Sequence, residues 1–235
     1  LIDKAHEADT DMVLTCDNGI AAYPQIAYAN TLGMTVIVTD HHEVPYEEQD
    51  GVRNYKIPPA YAVVDPKQED CTYPFPEICG AVGAYKLVLV LLAKHFGSTW
   101  QEILQSELGY ALLELAAFAT IGDVMELKDE NRIIVRCGLE LMKNTRNIGL
   151  RALMDVTEIQ AEHIKPYTIG FVLGPCLNAT GRLDTAERAL SMFRTKDQAQ
   201  AVTIAGELKA LNDSRKEMTL LGTAQAMEQI ENTSI

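Results

Sequence analysis

The chain has 235 residues, nearly half of them apolar, enough to bury a real core in one large or two small domains. Its 33 acidic against 20 basic side chains leave a formal net charge of −13, which excludes a nucleic-acid binder built on a basic stripe. No window approaches the ~18 apolar residues of a membrane span, and no secretion signal opens the chain.

In chain order, residues 11–16 (DMVLTC) predict a short buried strand, and residues 23–32 a helix that Gly33 ends. Residues 34–39 (MTVIVT) predict a second strand. After the Pro58-Pro59 loop, residues 61–64 predict a third. Strands alternating with helices imply a parallel sheet whose strands are covered on both faces. From Gly80 onward the pattern turns helical, with a buried helix over 80–95 and a single long one over 100–119. Residues 131–144, 148–155 and 158–165 follow as helices, and the Gly- and Pro-rich stretch 169–183 reads as an irregular turn region. Residues 185–193 and then roughly 196–231 close the chain as helices. It opens on Leu1 without a Met and ends on Ile235 within a helical pattern, so it reads as an internal piece of a longer protein. Five scattered cysteines without CxxC spacing indicate neither a zinc ribbon nor a disulfide framework, and fit a reducing cytoplasm.

Three predicted strand ends carry acids or imidazoles: Cys16-Asp17-Asn18-Gly19, Thr39-Asp40-His41-His42 and Asp65-Pro66. A fourth candidate is Asp123, in Ile121-Gly122-Asp123-Val124 after a long apolar helix. Ligands of open parallel sheets bind outside the carboxyl ends of the strands, which would bring Asp17 and His41 together across 24 positions. Each motif also has a plainer reading. Asp-Asn-Gly is a good turn, Asp40 a good helix cap, and an Asp beside Gly is usually a turn residue. The adjacent His41 and His42 beside an Asp are harder to explain without something to pair with them. Imidazole with carboxylates suits Mn²⁺, Fe²⁺ or Zn²⁺, and oxygen-rich surroundings favour Mn²⁺ or Mg²⁺. On spacing alone, a metal site and a set of turn residues both stay open.

Thr39-Asp40-His41-His42 resembles the signature of the DHH phosphoesterases, with Asp17 and Asp123 in the flanking motifs in the right order. The stretch Gly174-Pro175-Cys176-Leu177-Asn178-Ala179-Thr180-Gly181-Arg182-Leu183-Asp184 is similar to the GPRxNAxGRL segment of the RecJ exonucleases within that family. Residues 76–87, including Cys79-Gly80-Ala81-Val82-Gly83, fit as well, so the likeness runs through nearly the whole chain. It implies an α/β fold: a parallel sheet with flanking helices, then a mostly helical region ending in a long connecting helix. Residues 1–195 would be a partial DHH domain lacking its first motif, and 196–235 the helix toward a DHH-associated domain that is absent.

The resemblance further implies a two-metal site for Mn²⁺ or Mg²⁺, with Asp17 bridging and His41 and Asp123 completing one ion. Asp40 would hold an imidazole tautomer from behind, and His42 would face the scissile phosphate. Arg182 would grip a backbone phosphate with Asn178 nearby, the plain alternative for Arg182 being a salt bridge to Asp184 or Glu187. The implied activity is hydrolysis of single-stranded DNA, 5′ to 3′, in cytoplasmic DNA repair and recombination, with a single-strand-binding protein or helicase as possible partner and no membrane. Two departures stand against it: the Asp-rich first motif is absent, and Cys176 replaces the usual Arg. The isolated piece is therefore expected to be inactive. Rival readings are a DHH phosphodiesterase for dinucleotides or short RNA, and a catalytically dead scaffold subunit.

Overall fold

The computed structural model describes the backbone of residues 1–183 and 186–233, and the side chains of all of these except 180–183. The described chain separates into two compact units, Leu1–Gly138 and Leu139–Ile235.

In the first unit, α1 (Ile2–Glu7) leads into β1 (Met12–Cys16), α2 (Tyr23–Thr31) and β2 (Thr35–Thr39). A hairpin, β3 (Tyr46–Gln49) and β4 (Val52–Tyr55), intervenes before β5 (Ala62–Val64). β1, β2 and β5 form a parallel sheet in the order β1-β2-β5, with Cys16 level with Thr39 and Thr39 level with Val64. All three strands therefore end at the same edge. Ile26, Ala29, Met34, Val36 and Val38 make the core on the α2 side, joined by Ile2, Val13 and Val63. These β-branched and aliphatic residues suit a pleated surface under a helix. The expected cover on both faces does not extend to β1, an edge strand whose Met12 and Leu14 stay exposed.

The helices of this unit are α3 (Gly80–Phe96), α4 (Trp100–Leu104), α5 (Glu107–Gly122) and α6 (Asp129–Met142), the last running past the unit's end. The single helix expected over 100–119 is in fact two. Ser106 breaks it, accepting the Gly109 N–H through its side chain and so capping α5. α3 buries only one stripe, Val82, Tyr85, Leu89 and Ala93, while Val90 and Leu91 are half exposed.

The second unit holds α7 (Ile148–Val156), a 3₁₀ turn (Ala161–His163), α8 (Pro166–Thr168), a π-helical segment (Ile169–Leu173), α9 (Gly174–Leu183), α10 (Ala186–Arg194) and α11 (Gln198–Asn232). Leu150, Leu153, Leu173, Cys176, Met192, Ala205 and Leu208 are fully or almost fully buried there. Two expectations fail. The helix over 158–165 shrinks to one 3₁₀ turn, because the residue before Pro166 is driven out of the helical region. The stretch 169–183 is helical rather than irregular: Ile169, Leu173, Cys176 and Ala179 are buried at helical spacing, and that burial outweighs its poor propensity.

One close approach ties α3 to the strand ends. A Cβ added to Gly80 would lie 2.6 Å from Cα, Cβ and Oδ1 of Asp17, whereas one added to Gly83 meets nothing within 4 Å. Gly80→Ala should therefore destabilise the protein by about 1–3 kcal/mol through overpacking. Gly83→Ala, on the same helix, should be neutral or stabilising by up to ~1 kcal/mol. Urea unfolding of the two variants checks this, and equal midpoints would remove the steric argument.

Candidate metal centre

The common edge of the sheet is where the chemistry gathers. Asp17 follows β1 directly in the left-handed region, with φ at 60°, a conformation that costs a non-glycine residue energy and is concentrated at functional sites. Its N–H donates to the Thr39 carbonyl at 3.0 Å, which fixes the turn after β1 against the end of β2.

Asp40 continues β2. It is 4% exposed, and its backbone N–H donates to the Val64 carbonyl at 3.0 Å. Its Oδ2 accepts the Ile20 N–H at 2.9 Å, and its Oδ1 accepts the His41 N–H at 2.8 Å and the His42 N–H at 3.4 Å. The same Oδ1 lies 2.7 Å from His42 Nδ1. Burial alone would push this carboxyl upward, but the Ile20 N–H, the His42 ring and the His41 and His42 N–H groups together hold it below its usual range. The pairing raises His42 in turn, chiefly through its hydrogen bond to Asp40, against a smaller opposing effect of burial. Of the two imidazoles, the one whose tautomer Asp40 holds is thus that of His42.

His41 is buried, and both its ring nitrogens lack a hydrogen bond. Nε2 nevertheless lies 2.9 Å from Asp17 Oδ1 and 3.5 Å from Asp123 Oδ2. Both carboxylates thus approach the same imidazole nitrogen without hydrogen-bond direction. Asp123 enters from the C-terminal end of α5, which it caps, and its carboxyl is pushed up by burial and by Asp17, with His41 and His42 opposing. The group whose ligand atoms all fall within 4.8 Å of one another is Asp17, His41 and His42, and Asp123 stands outside it, in reach of His41 alone. Carboxylate oxygens around one buried imidazole nitrogen fit Mn²⁺ well and Mg²⁺ acceptably, and the orphaned Nε2 is what such an ion would satisfy.

Asp65, at the end of β5, is 2% exposed. One of its oxygens accepts the Lys67 N–H at 2.8 Å while the other has no hydrogen bond, and burial pushes the carboxyl up. The close approach of Gly80 to Asp17 is a feature of this edge that the sequence motifs did not point to. Asn178 lies exposed on α9 in the second unit, and the Arg182 side chain falls outside the described residues. Cys176 is buried at 1% exposure, its thiol directed to the Val172 carbonyl and approached by Asn212 Nδ2, so this position faces the core of the second unit and not solvent.

Asp40 and His42 make a pair with a definite pH signature. Asp40's contribution is present above its unfolded pKa and is lost as pH falls through its lowered folded value. His42's is present below its unfolded pKa and is lost as pH rises through its raised folded value. Asp40→Asn should therefore bring His42 down toward the ordinary ~6.5. An NMR titration of the His42 Cε1 proton checks it, and an unchanged midpoint would show that Asp40 does not set this ring.

Comparison with known proteins places the chain among relatives of one family. The family model described as "DHH family, N-terminal domain" matches residues 2–120. A single-stranded-DNA-specific exonuclease RecJ of Bacillus subtilis is 36% identical over 97% of this chain and 26% of its own length. That of Escherichia coli is 33% identical over 93% of this chain and 37% of its own. The chain thus spans between about a quarter and two-fifths of such relatives. A crystal structure of RecJ with Mn²⁺ from Thermus thermophilus superposes at a TM-score of 0.77 with 28% identity, covering 97% of this chain and 31% of that one. A second manganese-bound RecJ exonuclease gives 0.77 and 29% over the same share of this chain. With the family model matching just over half of its residues, the chain belongs to the DHH family.

Proposed function

We propose that this chain forms part of the catalytic core of a Mn²⁺- or Mg²⁺-dependent exonuclease that hydrolyses phosphodiester bonds in single-stranded DNA. The observation that carries the reading is the meeting of Asp17, His41 and Asp123 at one strand edge, in a chain similar along its length to RecJ exonucleases. Asp17, His41 and Asp123 would hold the metal; when bound, such ions activate water and stabilise the charge of an in-line displacement. His42 has more than half of its side chain exposed, and its hydrogen bond to Asp40 favours the protonated ring, the form that would hydrogen-bond a phosphate oxygen. Asp40 acts from behind, fixing that ring and the backbone of His41. In the second unit, Asn178 and Arg182 would meet the DNA backbone, and residues 196–235 would lead on to a further domain. We place the reaction in the cytoplasm, in DNA repair and recombination, on strands that a single-strand-binding protein or helicase presents. Among the described residues, no helix is long and apolar enough to cross a membrane.

The test is degradation of end-labelled single-stranded DNA by the intact protein with Mn²⁺. His41→Ala should lower the rate by more than the roughly 10–100-fold typical of changes behind a metal ligand. Full activity of His41→Ala, or none in the wild type, would overturn the reading.

A further inference from the structure

The hairpin β3–β4 stands outside the sheet, and every residue of its two strands is exposed except the half-buried Tyr55. A lone two-stranded hairpin is marginal in water, so its own side chains must hold it. Asp50 and Gly51 join the strands with φ at 54° and 78°, the left-handed pair of a tight hairpin turn that matches strand twist. Side chains alternate across the strands. By the pairing of Tyr46 with Tyr55 and of Glu48 with Arg53, one face takes these four residues, and Glu47, Gln49, Val52 and Asn54 take the other. On the first face the two tyrosine rings meet edge to face, 5.8 Å between centroids. The Arg53 guanidinium sits 4.6 Å over the Tyr46 ring. Tyr46 keeps 45% of its surface open.

The root of this hairpin is fixed to the catalytic edge. Val44 is buried, the Pro45 carbonyl accepts the Lys56 N–H at 2.7 Å, and Glu43 meets Lys67 at 2.9 Å. Tyr46 follows His42 by four residues, a chain length that spans at most ~14 Å. The aromatic face and its guanidinium therefore start within ~14 Å of His42, whose ligand atom lies within 4.8 Å of those of Asp17 and His41.

We propose that the Tyr46–Arg53–Tyr55 face is a stacking platform for a base of the single strand whose backbone enters the Asp17–His41 edge. It rests on the exonuclease reading above and adds to it where the strand is gripped. A chain of net charge −13 gains little from counterion release, so contacts that do not depend on charge have to carry more of the binding. Base stacking on an aromatic ring is such a contact, and it tolerates any sequence because every base has a π-face. Arg53 adds a cation–π component and holds Tyr46 in one orientation, which limits the entropy lost on binding. Glu48 and Arg53 cancel on this face, whereas Glu47 lies on the other, so phosphates beside the stacked base meet little net repulsion.

The test uses the intact protein without metal, so that nothing is cleaved. Binding of labelled oligothymidylate is followed by anisotropy, and oligonucleotides with 2-aminopurine at successive positions report stacking by quenching. Tyr46→Phe should bind as the wild type does. Tyr46→Ile keeps strand propensity but has no ring, and should bind roughly five- to a hundredfold more weakly and lose quenching at one position. Wild-type affinity and quenching in Tyr46→Ile would overturn the platform, as would a loss in Tyr46→Phe equal to that in Tyr46→Ile. Mn²⁺-dependent degradation by the wild type is measured alongside. Degradation with an unaffected Tyr46→Ile removes the platform alone, and no degradation removes the exonuclease reading and the platform with it.

Discussion

The carboxylate of Asp40 is the fastening on which the candidate centre depends. It is buried at the end of the middle strand and takes hydrogen bonds from the loop after β1 through Ile20, from its own continuation through His41 and His42, and from the His42 ring. Its N–H reaches the third strand at Val64. One residue, through its carboxylate and its own N–H, therefore joins all three strand ends. A buried anion is costly unless its lone pairs are filled, and here backbone N–H groups and an imidazole fill them. Once those bonds are made, Asp17 and His41 have little choice of position: Asp17 is held by Thr39 and pressed by Gly80, and His41 is turned inward beside it.

That arrangement explains a division of labour between two neighbouring histidines. His42 spends one nitrogen on Asp40, which raises its pKa, and keeps more than half of its side chain exposed. His41 spends neither nitrogen on a hydrogen bond and is buried among carboxylates. A ring in that state gains most from a cation placed between it and the acids.

Much of this was legible in the sequence. The three parallel strands announced themselves by short β-branched runs, and the acids and imidazoles stood directly after them, so their convergence follows from parallel topology. The hairpin at 46–55 was not anticipated because both of its faces are solvated and no apolar alternation marks it, although Asp50-Gly51 is the strongest short turn signal the segment could carry. The stretch 169–183 misled through its glycines and its proline. Those residues report local propensity, while Ile169, Leu173, Cys176 and Ala179 report burial at helical spacing, and burial prevails. That Asp40 serves His42 and not His41 could not be read from adjacency, because both rings are within reach and only the packed backbone decides between them.

Whether Asp17, His41 and Asp123 hold one cation is decided by soaking crystals with Mn²⁺ and measuring anomalous diffraction at the manganese edge. A peak is expected roughly 2.0–2.3 Å from His41 Nε2 and from oxygens of Asp17 and Asp123, at distances usual for Mn²⁺ ligands. A peak elsewhere, or none at this edge with saturating Mn²⁺ in the intact protein, would contradict it.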